Sequence, residues 1–418
     1  QPNILLPKMH RTYRKLSPLA KTILGVSFVL SIILYTSIFL YLNTQSIDDL
    51  HVLGIDTCPA CYGTNLCDSF KNGDVTATGW SKLKFWHWIN IKNVHTGTFH
   101  NKKVIMKKLA HDEEIAAIDN KICKSAQLDA NCDIKTAIQK SSLFQHTDKI
   151  YIDEVKGLSD LVTCPSERLI ADIKSAYLQT ENKKTFTFQD KMKLMTMLMI
   201  NPEPLMLQIF SAQEGWPVPK YYGACGRWIV EENSGTILGD YYDSKWDIRV
   251  DLAYQLFKLA DKMTQNADYA LYWTDVSYDN LVVDSAGKLI AIDLENVIVV
   301  DKRKVEKDKP NNWDSPHISN FDECPHYGNC LSFDTAELCS HTLADHNYYA
   351  ICRDMLSNYA SDVGKPEGFL HNMPDYVKED YKLDKLLEQC ANPPHYNDRL
   401  KIKDQIMDIL NKLRTTHV

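Results

Sequence analysis

The chain has 418 residues, of which 44% are hydrophobic and 24% charged, and a formal net charge of −7 at pH 7. This balance excludes a disordered chain, and its mild acidity lacks the basic footprint of a nucleic-acid binder, so no nucleic acid is expected among its partners. From Thr22 to Leu42 no charged residue occurs. At ~1.5 Å rise per residue that run spans about the ~30 Å hydrocarbon core of a bilayer, and it reads as a membrane segment. Lys8, Arg11, Arg14, Lys15 and Lys21 precede it without an acid, whereas no Lys or Arg follows until Lys71. The positive-inside rule then gives a cytoplasmic N-terminus and a luminal remainder, a type II signal anchor. A cleaved signal peptide, which would make the same domain a secreted one, competes with it. The apolar run exceeds the ~7–15 residues of such a peptide and no clear small-x-small site follows it. All twelve cysteines lie beyond the segment, which suits up to six disulfides in an oxidising compartment, with pairing left open.

Cys58-Pro-Ala-Cys61 would be a redox pair if it followed a buried strand and opened a helix. Turn-rich Tyr62-Gly-Thr-Asn-Leu-Cys67 follows instead, so a structural role is expected. Cys324, Cys330, Cys339 and His341 are spaced unlike common zinc motifs, and disulfides in an extended loop fit them better. Further along, Lys102-Lys-Val-Ile-Met-Lys107-Lys-Leu alternates as a strand, with Val104 and Met106 on one face and Ile105 and Lys107 on the other. It resembles the Val-Ala-Ile-Lys strand of protein kinases, whose lysine meets the α- and β-phosphates once a helix glutamate orients it. The spacing predicts a helix over His111–Cys123 with Ile115, Ile118 and Ile122 on one stripe, and Glu114 is the candidate partner for Lys107. Acids in a first helical turn are also favoured by the helix dipole alone. Residues 124–184 read as an insertion. Thr187-Phe-Gln-Asp190 starts a helix carrying Met192, Met195 and Leu198 and stopped by Asn201-Pro-Glu-Pro. Leu205–Phe210 and Arg227–Val230 are candidate strands and Glu231–Gly235 a polar hinge; an amphipathic helix follows from Trp246 with Ile248, Leu252, Leu256, Leu259 and Met263 on its stripe, and another near the end carries Ile402, Ile406, Ile409 and Leu413.

The stretch Thr274–Asp293 carries the chemistry. Asp275, Asn280 and Asp293 flank a hairpin whose strands are Leu281-Val-Val and Leu289-Ile-Ala-Ile and whose turn is Asp284-Ser-Ala-Gly-Lys288. A kinase catalytic loop likewise places a base Asp ahead of an Asn metal ligand, then a hairpin delivering a metal-binding Asp.

Longer motifs sharpen this. Cys58-Pro-Ala-Cys-Tyr-Gly-Thr, Asn201-Pro-Glu-Pro-Leu, Glu214-Gly-Trp-Pro and Tyr222-Gly-Ala-Cys-Gly-Arg227 belong to the first half, and Asp275-Val-Ser-Tyr-Asp-Asn280, Glu295–Arg303 and Asp345-His-Asn-Tyr-Tyr-Ala350 to the second. Together they resemble the divergent protein kinase domain 2, or deleted-in-autism, family. The resemblance implies a two-lobed, disulfide-braced protein-kinase-like fold of mixed α/β (α+β) class in the secretory pathway, Golgi-associated or released. It implies a basic tail over 1–21, an anchor over 22–42, a stem and Cys-rich segment over 43–74, an N-lobe with insertion over 75–230 and a C-lobe over 231–418. On this reading Lys107 clamps the phosphates of ATP, Asp275 accepts or orients the acceptor hydroxyl proton, and Asn280 and Asp293 hold Mg²⁺ or Mn²⁺. The acceptor would be a hydroxyl on a luminal or extracellular protein or glycan. Three departures stand out: Gly97 is the sole glycine just before Lys107, Trp273-Thr274 replaces His-Arg, and Asp293-Leu-Glu295 replaces Asp-Phe-Gly, where Glu295 could add a carboxylate near the metals. They motivate the alternative of a pseudokinase acting as a secreted or tethered ligand or scaffold.

Overall fold

The computed structural model describes residues 17–42, 50–82, 93–319, 331–360, 364–395 and 398–415. The expected membrane segment is helix α1, Pro18–Leu42. Its stretch Pro18–Phe39 has a mean hydropathy of 2.1 and buries no side chain against the rest of the chain, so it is long and apolar enough to cross a membrane. Its two threonines bond back to the helix: Thr22 Oγ1 donates to Pro18 O and Thr36 Oγ1 to Ile32 O, at 3.1 and 2.9 Å, which lets those hydroxyls sit in a hydrocarbon medium.

Beyond it the chain forms two lobes. The first is an antiparallel sheet of β1 (Val75–Ala77), β2 (Val94–Phe99), β3 (Lys102–Lys108), β4 (Tyr221–Cys225) and β5 (Trp228–Glu232), in the order β1-β2-β3-β5-β4. The alternation read in β3 holds: Val104 and Met106 are fully buried in a small core with Phe70, Trp228 and Val230, and Ile105 and Lys107 face the other way. Gly97 sits in mid-β2, where an added Cβ would lie 2.7 Å from Thr76 O and 2.9 Å from the Met106 methyl. It is glycine for close strand packing. The turn joining β2 to β3 instead places His100 and Asn101 at φ 47° and 64°, the backbone of a two-residue hairpin turn.

Between β3 and β4 the chain is helical: α2 (Asp112–Ser125), α3 (Glu167–Thr180), α4 (Phe188–Ile200) and α5 (Glu203–Ile209). The Thr187 start of α4 is a capping box, with Thr187 Oγ1 accepting from Asp190 N and Asp190 Oδ2 accepting from Thr187 N. Leu205–Phe210, expected as a strand, is instead α5. Pro204 presets a helical φ in the first turn and Asn201 Oδ1 accepts from Glu203 N at 2.9 Å, so helix initiation wins over the apolar run's strand character.

The second lobe holds β6 (Thr236–Ile237), α6 (Trp246–Gln265), β7 (Tyr269–Trp273), β8 (Leu281–Val283), β9 (Leu289–Ala291), β10 (Val297–Asp301), α7 (Thr335–Ser340), α8 (His346–Ile351), α9 (Leu383–Ala391) and α10 (Asp398–Thr415). Leu252, Leu256, Leu259 and Met263 of α6 are buried as their spacing predicts, and Ile402, Ile406 and Leu413 of α10 are buried in the same core, while Ile409 is only partly buried and Leu410 beside it takes the inward place. Ile248, read as part of the α6 stripe, is 40% exposed because it lies in the first turn, outside that core.

The ten cysteines among the described residues form Cys58–Cys61, Cys67–Cys225, Cys123–Cys132, Cys164–Cys339 and Cys352–Cys390. Cys61 is fully buried, and a 3₁₀ turn rather than a strand precedes Cys58, so a structural staple rather than an exposed redox pair occupies this position. Cys339 is spent on Cys164, while Cys324 and Cys330 lie outside the described residues.

Candidate active site

The cleft between the lobes has a volume of about 800 Å³ and is lined by Ile105, Lys107, Glu203, Glu231, Asn280, Asp293 and Glu295 among others. That size suits a nucleotide-sized ligand. The loop that carries Asp275 and Asn280 springs from β7, which is buried along its whole length and pairs with β10 from Tyr269↔Asp301 to Trp273↔Val297. The Asp345-His-Asn347 motif fixes β7 from behind. Asn347 accepts from Trp273 N at 3.0 Å and donates to Leu271 O at 2.7 Å, His346 Nε2 meets Trp273 O at 2.5 Å, and the Asp345 carboxylate pairs with buried Arg399. Burial pushes the His346 imidazole down to about 4, so it stays neutral and its Nε2–H can donate to that carbonyl.

The chain then leaves β7 as the loop Thr274–Asn280. Asn280 Nδ2 donates to Asp275 Oδ2 at 3.2 Å and Ile292 N donates to Asn280 O at 2.9 Å, which ties the loop to the hairpin that delivers Asp293. The hairpin has the expected register, Leu281↔Ala291 to Val283↔Leu289. Asp284 Oδ1 accepts from both Ala286 N and Lys288 N at 2.8 Å to close its turn. Asp293 adopts φ 58°, a left-handed conformation uncommon for a non-glycine residue and frequent at functional sites.

Lys107 is 7% exposed and makes two ion pairs, with Glu203 Oε1 at 2.8 Å and Glu231 Oε1 at 2.9 Å. This corrects the sequence expectation for Glu114. Glu114 is exposed at the third position of α2 and accepts from His111 N at 2.7 Å, closing a capping box on its own helix. It lines the cleft mouth, and α2 is held through Asp119, which takes both terminal nitrogens of Arg227 at 2.6 and 2.8 Å. Lys107 therefore takes its partner from α5, 96 residues downstream, rather than from the helix that follows β3. Glu203 does a second task, because the same Oε1 accepts from Asp293 N at 3.1 Å. One buried carboxylate oxygen thus joins the lysine strand to the aspartate hairpin.

Sequence reading missed Glu203, Glu231 and Asn201 as site residues. The signal for Glu203 was present: an acid embedded in Met197-Leu-Met-Ile-Asn-Pro-Glu-Pro-Leu-Met206 is inside by virtue of its neighbours. Asn201 both accepts from Glu203 N and donates to Glu295, so the Asp293-Leu-Glu295 departure also has a fixed position.

One ammonium faces four carboxylates here. Burial alone would lower the Lys107 pKa, but Glu203 and Glu231 outweigh it and hold the amine charged. Burial pushes Glu231 up to about 7 against the pull of Lys107, and burial with the charges of Asp293, Glu203 and Glu114 pushes Glu295 up to about 7. Glu203 Oε2 and Glu231 Oε2 are buried without a hydrogen-bond partner. Excess negative charge and orphaned oxygens make this all-oxygen donor set a fit for hard divalent cations.

Comparisons with known proteins bear on the family of the chain. A family model described as the protein-kinase domain of FAM69 matches residues 194–393, which hold Glu203, Asp275, Asn280 and Asp293. Divergent protein kinase domain 2A of Xenopus tropicalis is 38% identical over 410 residues, covering 94% of this chain and 95% of its own. The human 2A protein is 36% identical over 423 residues, 97% of each chain, and human divergent protein kinase domain 2B is 27% identical over 381 residues, 87% of this chain and 83% of its own. With a kinase-like cleft and relatives aligned along nearly its whole length, the chain belongs to the divergent protein kinase domain 2 family.

Proposed function

We propose that the chain is an ATP-dependent phosphotransferase working in the lumen of the secretory pathway or released from it, with a protein or glycan hydroxyl as acceptor. The observation that carries this reading is the Glu203 oxygen shared by Lys107 and Asp293, which holds a phosphate-binding amine and a metal-binding carboxylate on opposite walls of one cleft. Asp293 and Asn280, with Glu295 beside them, would hold Mg²⁺ or Mn²⁺. A bound divalent ion supplies charge neutralisation for the phosphates. Lys107 orients the α- and β-phosphates, Ile105 and Val282 offer apolar wall to the base, and Asp275, exposed and hydrogen-bonded to the cleft-lining Asn280, accepts or orients the acceptor hydroxyl proton. Exposure of Asp275 suits an acceptor that arrives from solution.

The basic residues before α1 and the disulfides after it support a type II anchor with a luminal catalytic part, in the Golgi or endoplasmic reticulum. The test of activity is ATP turnover by the purified protein with Mn²⁺ or Mg²⁺ over protein and glycan acceptors. Wild type should turn over, and Asp293→Ala should lose at least about 100-fold. Equal inertness of both, with no thermal shift on adding ATP and Mn²⁺, sinks the enzyme reading.

One observation favours a second reading. The Lys107 amine is already held by two carboxylates, and Gly97 serves strand packing. A fold so braced would serve as a pseudokinase ligand or scaffold, and activity on cells that survives Asp275→Ala would support it.

A further inference from the structure

Outside the residues that line the cleft, His317, Glu337 and His341 converge in the second lobe. Each offers a ligand atom within 4.8 Å of the other two. We infer that these three side chains form a second, independent binding site for a divalent transition metal of the zinc class. Three rigid supports present them. His317 lies on an isolated parallel bridge with Ala344, donating from its N to Leu343 O at 2.9 Å and accepting at its O from Asp345 N at 3.0 Å. Glu337 lies on α7 and His341 is the residue that ends it, four positions on, which brings Glu337 Oε2 to 3.6 Å from His341 Nδ1. Asp334 Oδ1 caps that helix by accepting from Ala336 N at 2.8 Å and Glu337 N at 3.2 Å. Cys339, between the two ligands, is bonded to Cys164, and Leu338 is fully buried, so α7 cannot drift.

The donor chemistry points to a metal rather than to an ordinary ion pair. Glu337 Oε2 stands 3.6 Å from His341 Nδ1 and 3.9 Å from His317 Nδ1, beyond good hydrogen-bond range of either. The two rings face each other at 5.4 Å between centroids. Four ligands at ~2.0 Å from a tetrahedral ion are about 3.3 Å apart, so closing the set takes shifts of up to about 1.5 Å. Glu337, half exposed on a flexible stem, can supply the largest of them. His341 Nδ1 already meets Glu337 O at 2.8 Å and Ser340 Oγ at 3.1 Å. A ring nitrogen that donates to a carbonyl leaves the other as a neutral lone-pair donor, the usual state of a metal-bound histidine. Two imidazoles and one carboxylate, with a fourth position for water, form a set that zinc favours over magnesium or calcium. Its effect would be to clasp α7 to the His317 bridge and, through Asp345, to brace α8 behind β7.

The experiment uses full-length protein in detergent, bearing Asp293→Ala to weaken the cleft as a competing metal site. After dialysis against zinc sulfate and removal of the excess, metal content is read by plasma mass spectrometry, and Co²⁺ replaces Zn²⁺ for a visible spectrum. About one zinc per chain and a tetrahedral cobalt band are expected, both lost in His317→Ala and His341→Ala and retained in His100→Asn, an exposed turn residue. Glu337→Gln, at a half-exposed position that keeps the fold, should weaken zinc at least about tenfold even if a histidine variant fails to fold. Absence of stoichiometric zinc in the parent, or unchanged affinity in Glu337→Gln, overturns the site.

Discussion

At the scale of residues the cleft is organised by an imbalance of charge, and its consequences can be measured. Removing Glu203 by Glu203→Gln leaves Lys107 with Glu231 alone and weakens the acceptor for Asp293 N. The expected loss is about 3–5 kcal/mol of stability, read by chemical denaturation, together with abolition of the thermal shift by ATP and Mn²⁺. Glu114→Gln should cost no more than about 1 kcal/mol and leave that thermal shift in place, since Glu114 serves α2. A pH effect follows from Glu231 and Glu295. Their folded pKa values of about 7 stand above the ordinary 4.5, so the folded state holds protons that the unfolded chain releases. Their contribution is therefore fully present below about pH 4.5 and is lost as pH rises through 7. Without divalent ions the melting temperature should fall across that window, and Mn²⁺ should restore it near neutrality; Glu295→Gln should flatten the fall. A metal-free melting temperature that rises from pH 5 to 7 in wild type and variant alike would contradict this account. That Lys107, Asn280 and Asp293 line one cleft, with Asp275 joined to it through Asn280, was legible because strand alternation and loop spacing are local patterns. The lysine's partners were not, because Glu203 and Glu231 meet Lys107 only through the packing of α5 and the pairing of β3 with β5.

Among the elements, those with long periodic patterns could be read and those decided by one or two residues could not. The α6 and α10 stripes and the β8–β9 hairpin follow directly from spacing. Helix α5 was misread because seven residues with a strong apolar run carry no clear period, and Pro204 and Asn201 decided the outcome. The staples were beyond reach for a different reason, since pairing depends on which distant segments touch. Cys164–Cys339 joins residues 175 apart and fastens α7 to the insertion before β4, which Arg168 reinforces by pairing with Asp301. Replacing both cysteines by alanine should cost about 2–5 kcal/mol, seen as an earlier denaturant midpoint with secondary structure retained. No change in midpoint would mean that α7 is held by Leu338 and its caps alone.

For the whole molecule, the prediction concerns which side of a membrane carries the cleft. In sealed microsomes the part beyond α1 should resist added protease until detergent is present, while an N-terminal tag is removed at once. The reverse pattern would invert the topology. The lobed architecture also bears on pharmacology. In many kinases the carboxylate that holds the catalytic lysine rides on a helix able to swing outward, and activation consists of drawing it in. Here Glu203 is fully buried at the start of α5, three residues after the end of α4, fastened to Asn201 and to the aspartate hairpin. A ligand that works by prising such a helix away would have to break these bonds, whereas a compact cation among Glu231, Asp293 and Glu295 would meet carboxylates already in place. Selective small-molecule control of this protein therefore rests on charge in the pocket rather than on a mobile back wall.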